Sequence, residues 1–269
     1  MTDAPVLRGL RGITFDFGNT LVRVSREAMR RVADRTAIEM APRLGIEDRL
    51  AFRAAWAQER DRQFREEVPQ LREVDLAQRV ARTIARFRGL PPPPPDARWD
   101  DDAAAERSRA EEVHAVVETY SAAFLDVIEP VAGARQVLAD LAARGFRVGL
   151  LSNWPLAETI DRYAAGAGWL PSLTGIFVSQ RIGTIKPHPA IFAAAAEGLD
   201  CEPGTLLHVG DDWAADVVGA RAAGWRAAYL RGQQGDTPLP TSARTEDAVA
   251  DLELDTIIEL AARVADPTP

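Results

Sequence analysis

Apolar runs of strand length alternate with helical patterns along much of the chain. The first run, residues 12–17, is rich in β-branched and aromatic side chains and ends at a Gly-Asn-Thr turn. Further strands are predicted at 146–151, 175–180, 205–210 and 225–230, helices at 134–145, 190–199 and 216–225, and a short extended piece and closing helix within 247–266. Because these strands are continuously apolar and alternate with helices, the pattern predicts an α/β fold with an open parallel sheet covered on both faces.

The stretch from 23 to 129 follows a different pattern and lacks convincing strands. Residues 26–45 and 49–68 place apolar side chains at helical spacing with Arg, Glu and Asp between them. Five consecutive prolines at 91–95 predict a stiff, solvated connector. We therefore predict an all-helical module inserted between the first strand and the rest of the α/β core.

Charge and composition exclude several classes of protein. The chain has 269 residues and a formal net charge of −8, and because an acidic surface repels phosphate backbones we expect no nucleic-acid partner. No apolar run approaches the ~20 residues that span a bilayer, and the N-terminal residues lack the apolar stretch of a secretory signal. The single cysteine, Cys201, excludes an internal disulfide framework. We expect a cytoplasmic globular protein without a membrane partner, and the sequence leaves its oligomeric state open.

One basic residue stands apart from all the others. Of the 32 residues that are Lys or Arg, only Lys186 is a lysine. In a chain that uses Arg for a generic positive charge, a retained Lys indicates a place that needs a compact ammonium rather than a planar guanidinium. Chance retention is the alternative explanation.

Polar side chains follow four of the predicted strands, at the edge where open parallel sheets bind ligands. In chain order they are Asp16, then Ser152 and Asn153, then Lys186, and then Asp211, Asp212 and Asp216. Each of them alone is equally well explained as a helix or turn cap. Four caps in order at four strand ends are far less common, and converging carboxylates repel one another unless a cation lies among them. Oxygen ligands favour Mg²⁺ over zinc, and the three histidines are too scattered along the chain for a zinc site.

Four motifs together resemble those of the haloacid dehalogenase-like hydrolase superfamily. They are FDFGNTL around Asp16, LLSN ending at Asn153, the pair Lys186-Pro187, and GDDWAAD ending at Asp216. The helical stretch directly after the first motif resembles the cap of the subfamily with an α-helical lid. The resemblance implies a Rossmann-like catalytic core of residues 1–22 and 130–269 with an α-helical cap over 23–129.

The resemblance also implies a role for each residue. Asp16 would attack phosphorus and form an aspartyl-phosphate, and Ser152, the backbone around Asn153, and Lys186 would contact the phosphate. Mg²⁺ would be bound by Asp16, the carbonyl oxygen of Gly18 and Asp211. Asp212 or Asp216 would orient waters on the metal.

One position departs from the superfamily pattern. Its phosphatases carry a second Asp two residues after the nucleophile, as general acid and base, but here that residue is Gly18, followed by Asn19, which we expect to be a turn residue. General acid–base help is worth ~10²–10⁴-fold in rate. The substrate would therefore have a good leaving group, or the cap would supply the acid, or the protein would be slow or no phosphatase at all.

Three hypotheses follow from the resemblance. The first is a Mg²⁺-dependent phosphatase of a small phosphorylated metabolite. The second is a 2-haloacid dehalogenase-type hydrolase that uses no metal, with Asp16 attacking carbon. The third is a catalytically reduced phosphate-binding protein. The acidic GDDWAAD motif favours the first, because its carboxylates and Asp16 have one lysine among them and need a cation to balance their charge.

Overall fold

The computed structural model describes residues 6–233, 235–246 and 248–267. The chain divides into two compact units: one ends at Ser25 and resumes at Ile128, and the other is Arg26–Val127. Across the part of the chain that is described, no helix combines the length and the apolar character needed to cross a bilayer.

The first unit contains the strands and the helices that flank them. In chain order the strands are β1 (Gly12–Phe15), β2 (Val22–Arg23), β3 (Glu129–Pro130), β4 (Arg147–Ser152), β5 (Gly175–Val178), β6 (Leu206–Gly210), β7 (Arg226–Leu230) and β8 (Leu252–Leu254). Its helices are α6 (Ala134–Ala143), α7 (Ala157–Gly166), α8 (Ser179–Ile182), α9 (Pro189–Leu199), α10 (Gly219–Ala222) and α11 (Leu260–Arg263), and a π-helix spans Trp213–Val218.

Six of these strands form one sheet in the order β5, β4, β1, β6, β7, β8, and every neighbouring pair is parallel. The strands β1, β4 and β6 are buried along nearly their whole length, which explains their continuous apolar character. On one side of the sheet, Phe192 of α9 packs edge-on against Trp225, with ring centroids 5.4 Å apart. The predicted α/β fold with a parallel sheet is confirmed.

Three details differ from the sequence-based expectation. The stretch 23–129 was expected to contain no strands, and this is wrong at both its ends, because β2 pairs with β3 in a two-residue antiparallel ladder. The helix expected at 216–225 begins instead at Trp213, because the side chain of Asp212 accepts a hydrogen bond from the backbone N–H of Ala215 and so starts the helix earlier. The strand expected to reach residue 180 ends at Val178, where α8 begins.

The second unit is helical. It contains α1 (Arg26–Met40), α2 (Arg49–Glu67), α3 (Leu76–Phe87), α4 (Asp101–Ala105) and α5 (Ala110–Val127). The aspartates at 48, 75 and 100 cap the N-termini of α2, α3 and α4 through their side chains. The proline run is tied to α2, since the guanidinium of Arg62 donates to the carbonyls of Pro93, Pro94 and Ala97.

Candidate active site

The sheet order explains why distant residues meet. Because β1 lies between β4 and β6, the loops that follow these three strands lie at one edge of the sheet. Asp16 follows β1 directly, Ser152 is the last residue of β4, and Asp211 follows β6 directly. The chain after Asp16 turns through Asn19, whose φ of 56° and side-chain acceptance from the Val24 N–H fit the expected turn residue.

Lys186 is the centre of the charged network. Its ammonium donates to Asp16 Oδ1 at 2.8 Å, to Asp216 Oδ1 at 2.7 Å and to the Leu151 carbonyl at 2.8 Å. These three bonds use all three ammonium protons. Burial alone would lower the pKa of Lys186, but the carboxylates of Asp16 and Asp216 raise it above its usual value, so the side chain stays charged.

Asn153 holds the backbone of the same lysine. Its side-chain oxygen accepts from the Lys186 N–H at 2.7 Å, and its amide nitrogen donates to the Lys186 carbonyl at 3.0 Å. The sequence placed the backbone around Asn153 among the groups that bind substrate, which stays a prediction. In the structure its side chain is occupied with positioning the loop that carries Lys186.

His208 is a member of the network that sequence reasoning missed. It lies on β6, fully buried, with Nδ1 2.8 Å from Thr14 Oγ1 and Nε2 3.1 Å from Asp216 Oδ1. The Lys186 ammonium also lies 3.3 Å from Nε2, but its protons point to three oxygens at 2.7–2.8 Å, so we assign the ring proton to Nε2, which then donates to Asp216, while Nδ1 accepts from Thr14. Burial lowers the pKa of His208, which keeps the ring neutral at pH 7. The available signal was a histidine within an otherwise apolar strand.

Three carboxylates converge beside the lysine. One oxygen each from Asp16, Asp211 and Asp216 lies within 4.8 Å of the other two. Burial, reinforced by the charges of Asp16 and Asp216, raises the pKa of Asp211 to about 8, and burial raises that of Asp16 to about 6 against the opposing effect of Lys186. Burial would raise the pKa of Asp216 too, but Lys186 and His208 hold it below its usual range. The group therefore carries more buried negative charge than one ammonium balances.

Such a donor set fits a divalent cation. All of its ligand atoms are carboxylate oxygens, which Mg²⁺ prefers, and the raised pKa values of Asp211 and Asp16 measure the cost of ionising them without a counter-charge.

Asp212 faces away from this group. Its Oδ1 accepts from the Ala215 N–H and from the Ser242 hydroxyl, both at 2.8 Å, and its Oδ2 accepts from the Ser242 N–H at 2.7 Å. Asp216 instead lies over Gly210, where a Cβ would come within 2.1 Å of the Asp216 carboxylate. Of the two acids considered for orienting waters, the structure brings Asp216 to the other carboxylates and uses Asp212 to hold a loop.

That loop, residues 237–244, runs past the ends of β1 and β6, and we call it the strap. Thr237 accepts a hydrogen bond from the Asn19 amide at 3.1 Å, Ser242 binds Asp212, and the Arg244 guanidinium lies 4.6 Å from the centre of the Trp213 ring. Leu239 packs over Gly18, so that a Cβ at Gly18 would lie 2.8 Å from Leu239 Cδ1. The strap therefore occupies the space into which a side chain at position 18 would extend.

The chain is similar to several known proteins. It is 30% identical to "Phosphatase MT3486" of Mycobacterium tuberculosis over 59% of this chain and 82% of that protein. It is 30% identical to the human "Haloacid dehalogenase-like hydrolase domain-containing protein 3" over 40% of this chain, and the match spans only 42% of that relative's length. The fold is similar to that of a 2-haloacid dehalogenase from Pseudomonas syringae, with a TM-score of 0.62 and 21% identity over 94% of this chain and 97% of the other.

A family model agrees with the motifs and the fold. The model described as "haloacid dehalogenase-like hydrolase" matches residues 10–224, a range that contains Asp16, Lys186 and Asp211. The chain belongs to the haloacid dehalogenase-like hydrolases.

Proposed function

We propose that the protein is a Mg²⁺-dependent phosphatase that hydrolyses small phosphorylated metabolites. The observation that carries the proposal is a group of three carboxylates, two of them buried and one partly buried, within 4.8 Å of one another beside a single ammonium. A phosphate group would add its own negative charge to that of the carboxylates. It binds beside them only when a cation offsets the charge of both. The similarity to the mycobacterial phosphatase supports the same reaction.

Asp16 is the proposed nucleophile. Its carboxylate oxygen displaces the alcohol from phosphorus and forms an aspartyl-phosphate, which water then hydrolyses to free phosphate and the original carboxylate. Lys186 holds Asp16 in one orientation at 2.8 Å and supplies positive charge next to the transferred group. Ser152, at the end of β4, is proposed to donate a hydrogen bond to a phosphate oxygen, while Asn153 positions Lys186.

The proposed metal ligands are Asp16, Asp211 and the carbonyl oxygen of Gly18. When bound, Mg²⁺ would neutralise charge between the nucleophile and the phosphate. Asp216, held by Lys186 and His208, is proposed to lie just outside the ligand set, where it orients the Asp212 N–H and the ammonium.

Position 18 sets the range of good substrates. Gly18 has no side chain to protonate a departing alkoxide, and Leu239 fills the adjacent space. We therefore propose a preference for phosphates with good leaving groups, such as aryl, acyl or anomeric phosphates. The assignment of residues 23–129 as a cap that selects among these substrates stays a prediction.

A dehalogenase is the second candidate. The absence of an acid at position 18 favours it, since displacement of halide by Asp16 needs no proton donor. The excess of buried carboxylates speaks against it, because a metal-free site leaves them unbalanced. The third candidate function is a protein that binds a phosphate group without hydrolysing a phosphate ester.

One set of assays separates the three. Phosphate release from an activated aryl phosphate is measured with Mg²⁺ and with a chelator, beside halide release from a short 2-haloacid. Metal-dependent phosphate release that is lost in Asp16→Asn and retained in Asp212→Asn supports the phosphatase, since Asp212 lies outside the acidic group. Halide release that chelator does not affect supports the dehalogenase. Binding of a phosphate analogue without either product supports the third candidate.

A further inference from the structure

Two polar residues lie fully buried within apolar strands of the sheet. Thr14 of β1 and His208 of β6 are paired across the neighbouring strands, so their side chains lie on the same face, and both are 0% exposed. Thr14 Oγ1 lies 2.8 Å from His208 Nδ1. Replacing both partners of such a hydrogen bond by apolar residues of the same shape is often nearly neutral for stability. The stability of the core therefore does not by itself account for this pair.

The other nitrogen of the His208 ring contacts the carboxylate that holds Lys186. Asp216 Oδ1 lies 3.1 Å from His208 Nε2 and 2.7 Å from the Lys186 ammonium, and its Oδ2 accepts from a backbone N–H at 2.9 Å. Three donors from different segments of the chain therefore fix the orientation of this carboxylate. The ammonium in turn donates to Asp16 Oδ1 at 2.8 Å. A continuous series of contacts thus runs from Thr14 to the proposed nucleophile.

The position of the ring proton decides whether His208 can hold Asp216. With the proton on Nε2, the ring donates to the carboxylate, and Nδ1 accepts from the Thr14 hydroxyl. With the proton on Nδ1, two acceptors, the bare Nε2 and the Asp216 carboxylate, would face each other at 3.1 Å. A ring that carried both protons would place a second buried cation 3.3 Å from the Lys186 ammonium. The contacts therefore favour the neutral ring with its proton on Nε2.

A neutral donor suits this place because it adds no charge to the site. Burial, and after it the charge of Lys186, lower the pKa of His208, while Asp216 and, least of all, the Thr14 backbone raise it. The ring of Phe192 packs edge-on against the imidazole with centroids 5.8 Å apart, which makes that side of the ring apolar. A neutral imidazole holds Asp216 by a hydrogen bond without competing with Lys186 as a cation. The charge of the ammonium therefore stays available to Asp16 and to a bound phosphate.

We propose that Thr14 and His208 are positioning residues: the Thr14 hydroxyl keeps the ring proton on Nε2, and the ring holds Asp216 so that the Lys186 ammonium stays aimed at Asp16. Neither residue contacts the substrate. A displacement of about 1 Å in a group that acts on the reacting atoms can cost ~10²-fold in rate, even when the substitution that causes it lies elsewhere. The catalytic part of the proposal rests on the proposed phosphatase function, whereas the part that concerns the ring proton and the lysine does not.

The composition of the chain allows this arrangement to be observed by NMR without any activity. The full chain has three histidines and a single lysine, so ¹⁵N labelling of both side chains gives few signals, and those of His208 are absent in His208→Gln. At pH 7 in a chelator, we expect a protonated Nε2 and a bare Nδ1 in the wild type. Thr14→Val keeps the shape of the side chain but removes the hydroxyl, so it should shift the ring signals and the Lys186 signal. A proton on Nδ1 or on both nitrogens in the wild type, or a Lys186 signal unchanged in Thr14→Val and His208→Leu, overturns the proposal.

Steady-state kinetics with an activated aryl phosphate and Mg²⁺ test the catalytic part. His208→Leu removes the donor to Asp216 and should lower kcat about 10- to 100-fold with a smaller change in KM, because only the orientation of Lys186 is lost. His208→Gln carries an amide N–H at the reach of Nε2 and should keep kcat within about threefold of the wild type, whereas the shorter side chain in His208→Asn should not. If His208 only fills space, Leu, which buries no polar group, retains kcat at least as well as Gln, and that order overturns the proposal.

Thr83→Val is the matched control for Thr14→Val. Thr83 is also 0% exposed, but its hydroxyl donates to the Arg79 carbonyl within α3 at 2.8 Å, so its replacement should leave kcat and the His208 and Lys186 signals as in the wild type. Should His208→Leu fail to fold, Thr14→Val carries the same kinetic test, with a fall in kcat of about 3- to 10-fold. A wild type without phosphatase activity would refute the proposed function, and the NMR signals would still decide whether the ring proton and the lysine are held as proposed.

Discussion

Replacing Asp211 by Asn is expected to stabilise the metal-free protein, and the gain should grow with pH. Asp211 is 4% exposed, and burial together with Asp16 and Asp216 raises its pKa from 3.8 to about 8. At pH values between 3.8 and about 8, the Asp211 carboxyl keeps a proton in the folded protein that it has released in the unfolded chain. Stability therefore falls as pH rises through this window, and the loss is complete above the folded-state pKa. Asparagine is neutral at every pH and escapes that loss.

The magnitude follows from the width of the window. Each pKa unit corresponds to 1.36 kcal/mol, so from pH 5 to pH 7 the free energy of unfolding of Asp211→Asn should rise by about 2.7 kcal/mol relative to the wild type. Asp16, whose raised pKa adds a similar decline up to about pH 6, is present in both proteins and largely cancels in the difference.

The assay is urea unfolding in a chelator at pH 5, 6 and 7 and constant ionic strength. Asp212→Asn is the control, because this neighbouring carboxylate lies outside the acidic group and Asn keeps an oxygen to cap the helix. Its difference from the wild type should grow much less over the same range, because the Asp212 charge raises the pKa of Asp211 less than burial and the charges of Asp16 and Asp216 do. Added Mg²⁺ should raise the stability of the wild type at pH 7 more than that of Asp211→Asn. A stability difference for Asp211→Asn that stays constant with pH, or shrinks, would refute the reasoning.

Three other substitutions test separate parts of the site and core. Asn153→Ala removes both bonds to the Lys186 backbone and should lower kcat about 10- to 100-fold with a smaller change in KM, measured by steady-state kinetics. Gly18→Asp requires the half-buried Leu239 side chain to move aside and should lower stability by about 1 kcal/mol or less, and Gly18→Asp combined with Leu239→Ala should remove this cost and raise turnover of alkyl phosphates by up to ~10²-fold; equal rates in the wild type and the double variant would contradict this. Phe192→Ala should lower the free energy of unfolding by about 3–5 kcal/mol in urea, since Phe192 is fully buried against Trp225 and His208.

The sequence predicted the main charged residues because of one geometric rule. Parallel strands bring their carboxyl ends to one edge of the sheet, so Asp16, Lys186 and Asp211 could be placed together without knowledge of any side-chain contact. Whether Asp212 or Asp216 joins them depends on Ser242, thirty residues further along the chain, which binds Asp212 and turns it away. No local pattern carries that information.

Other features of the structure could not be predicted from the sequence, for related reasons. The ladder between β2 and β3 has two residues in each strand, too few for a periodic signal. The strap has no regular secondary structure, and its contacts with Asn19 and Gly18 are 218 residues or more apart in sequence. The motif around Asn153 indicated a ligand contact for its backbone, which stays a prediction, but gave no sign that its side chain binds the backbone of Lys186. Side chains that bind distant backbone are invisible to spacing arguments.

The lone lysine is explained by the shape of the place it occupies. Three oxygens, from Asp16, Asp216 and the Leu151 carbonyl, surround its nitrogen at 2.7–2.8 Å, one for each proton of a compact ammonium. A guanidinium is planar and carries five donors, so it could not direct one proton to each of these oxygens from a single nitrogen. In a chain that otherwise uses Arg, this geometry accounts for the exception. The same geometry determines the balance of charge in the site, because the single ammonium of Lys186 is bonded to two carboxylates. The charges of those carboxylates help to raise the pKa of Asp211, and a divalent cation would offset this excess of negative charge.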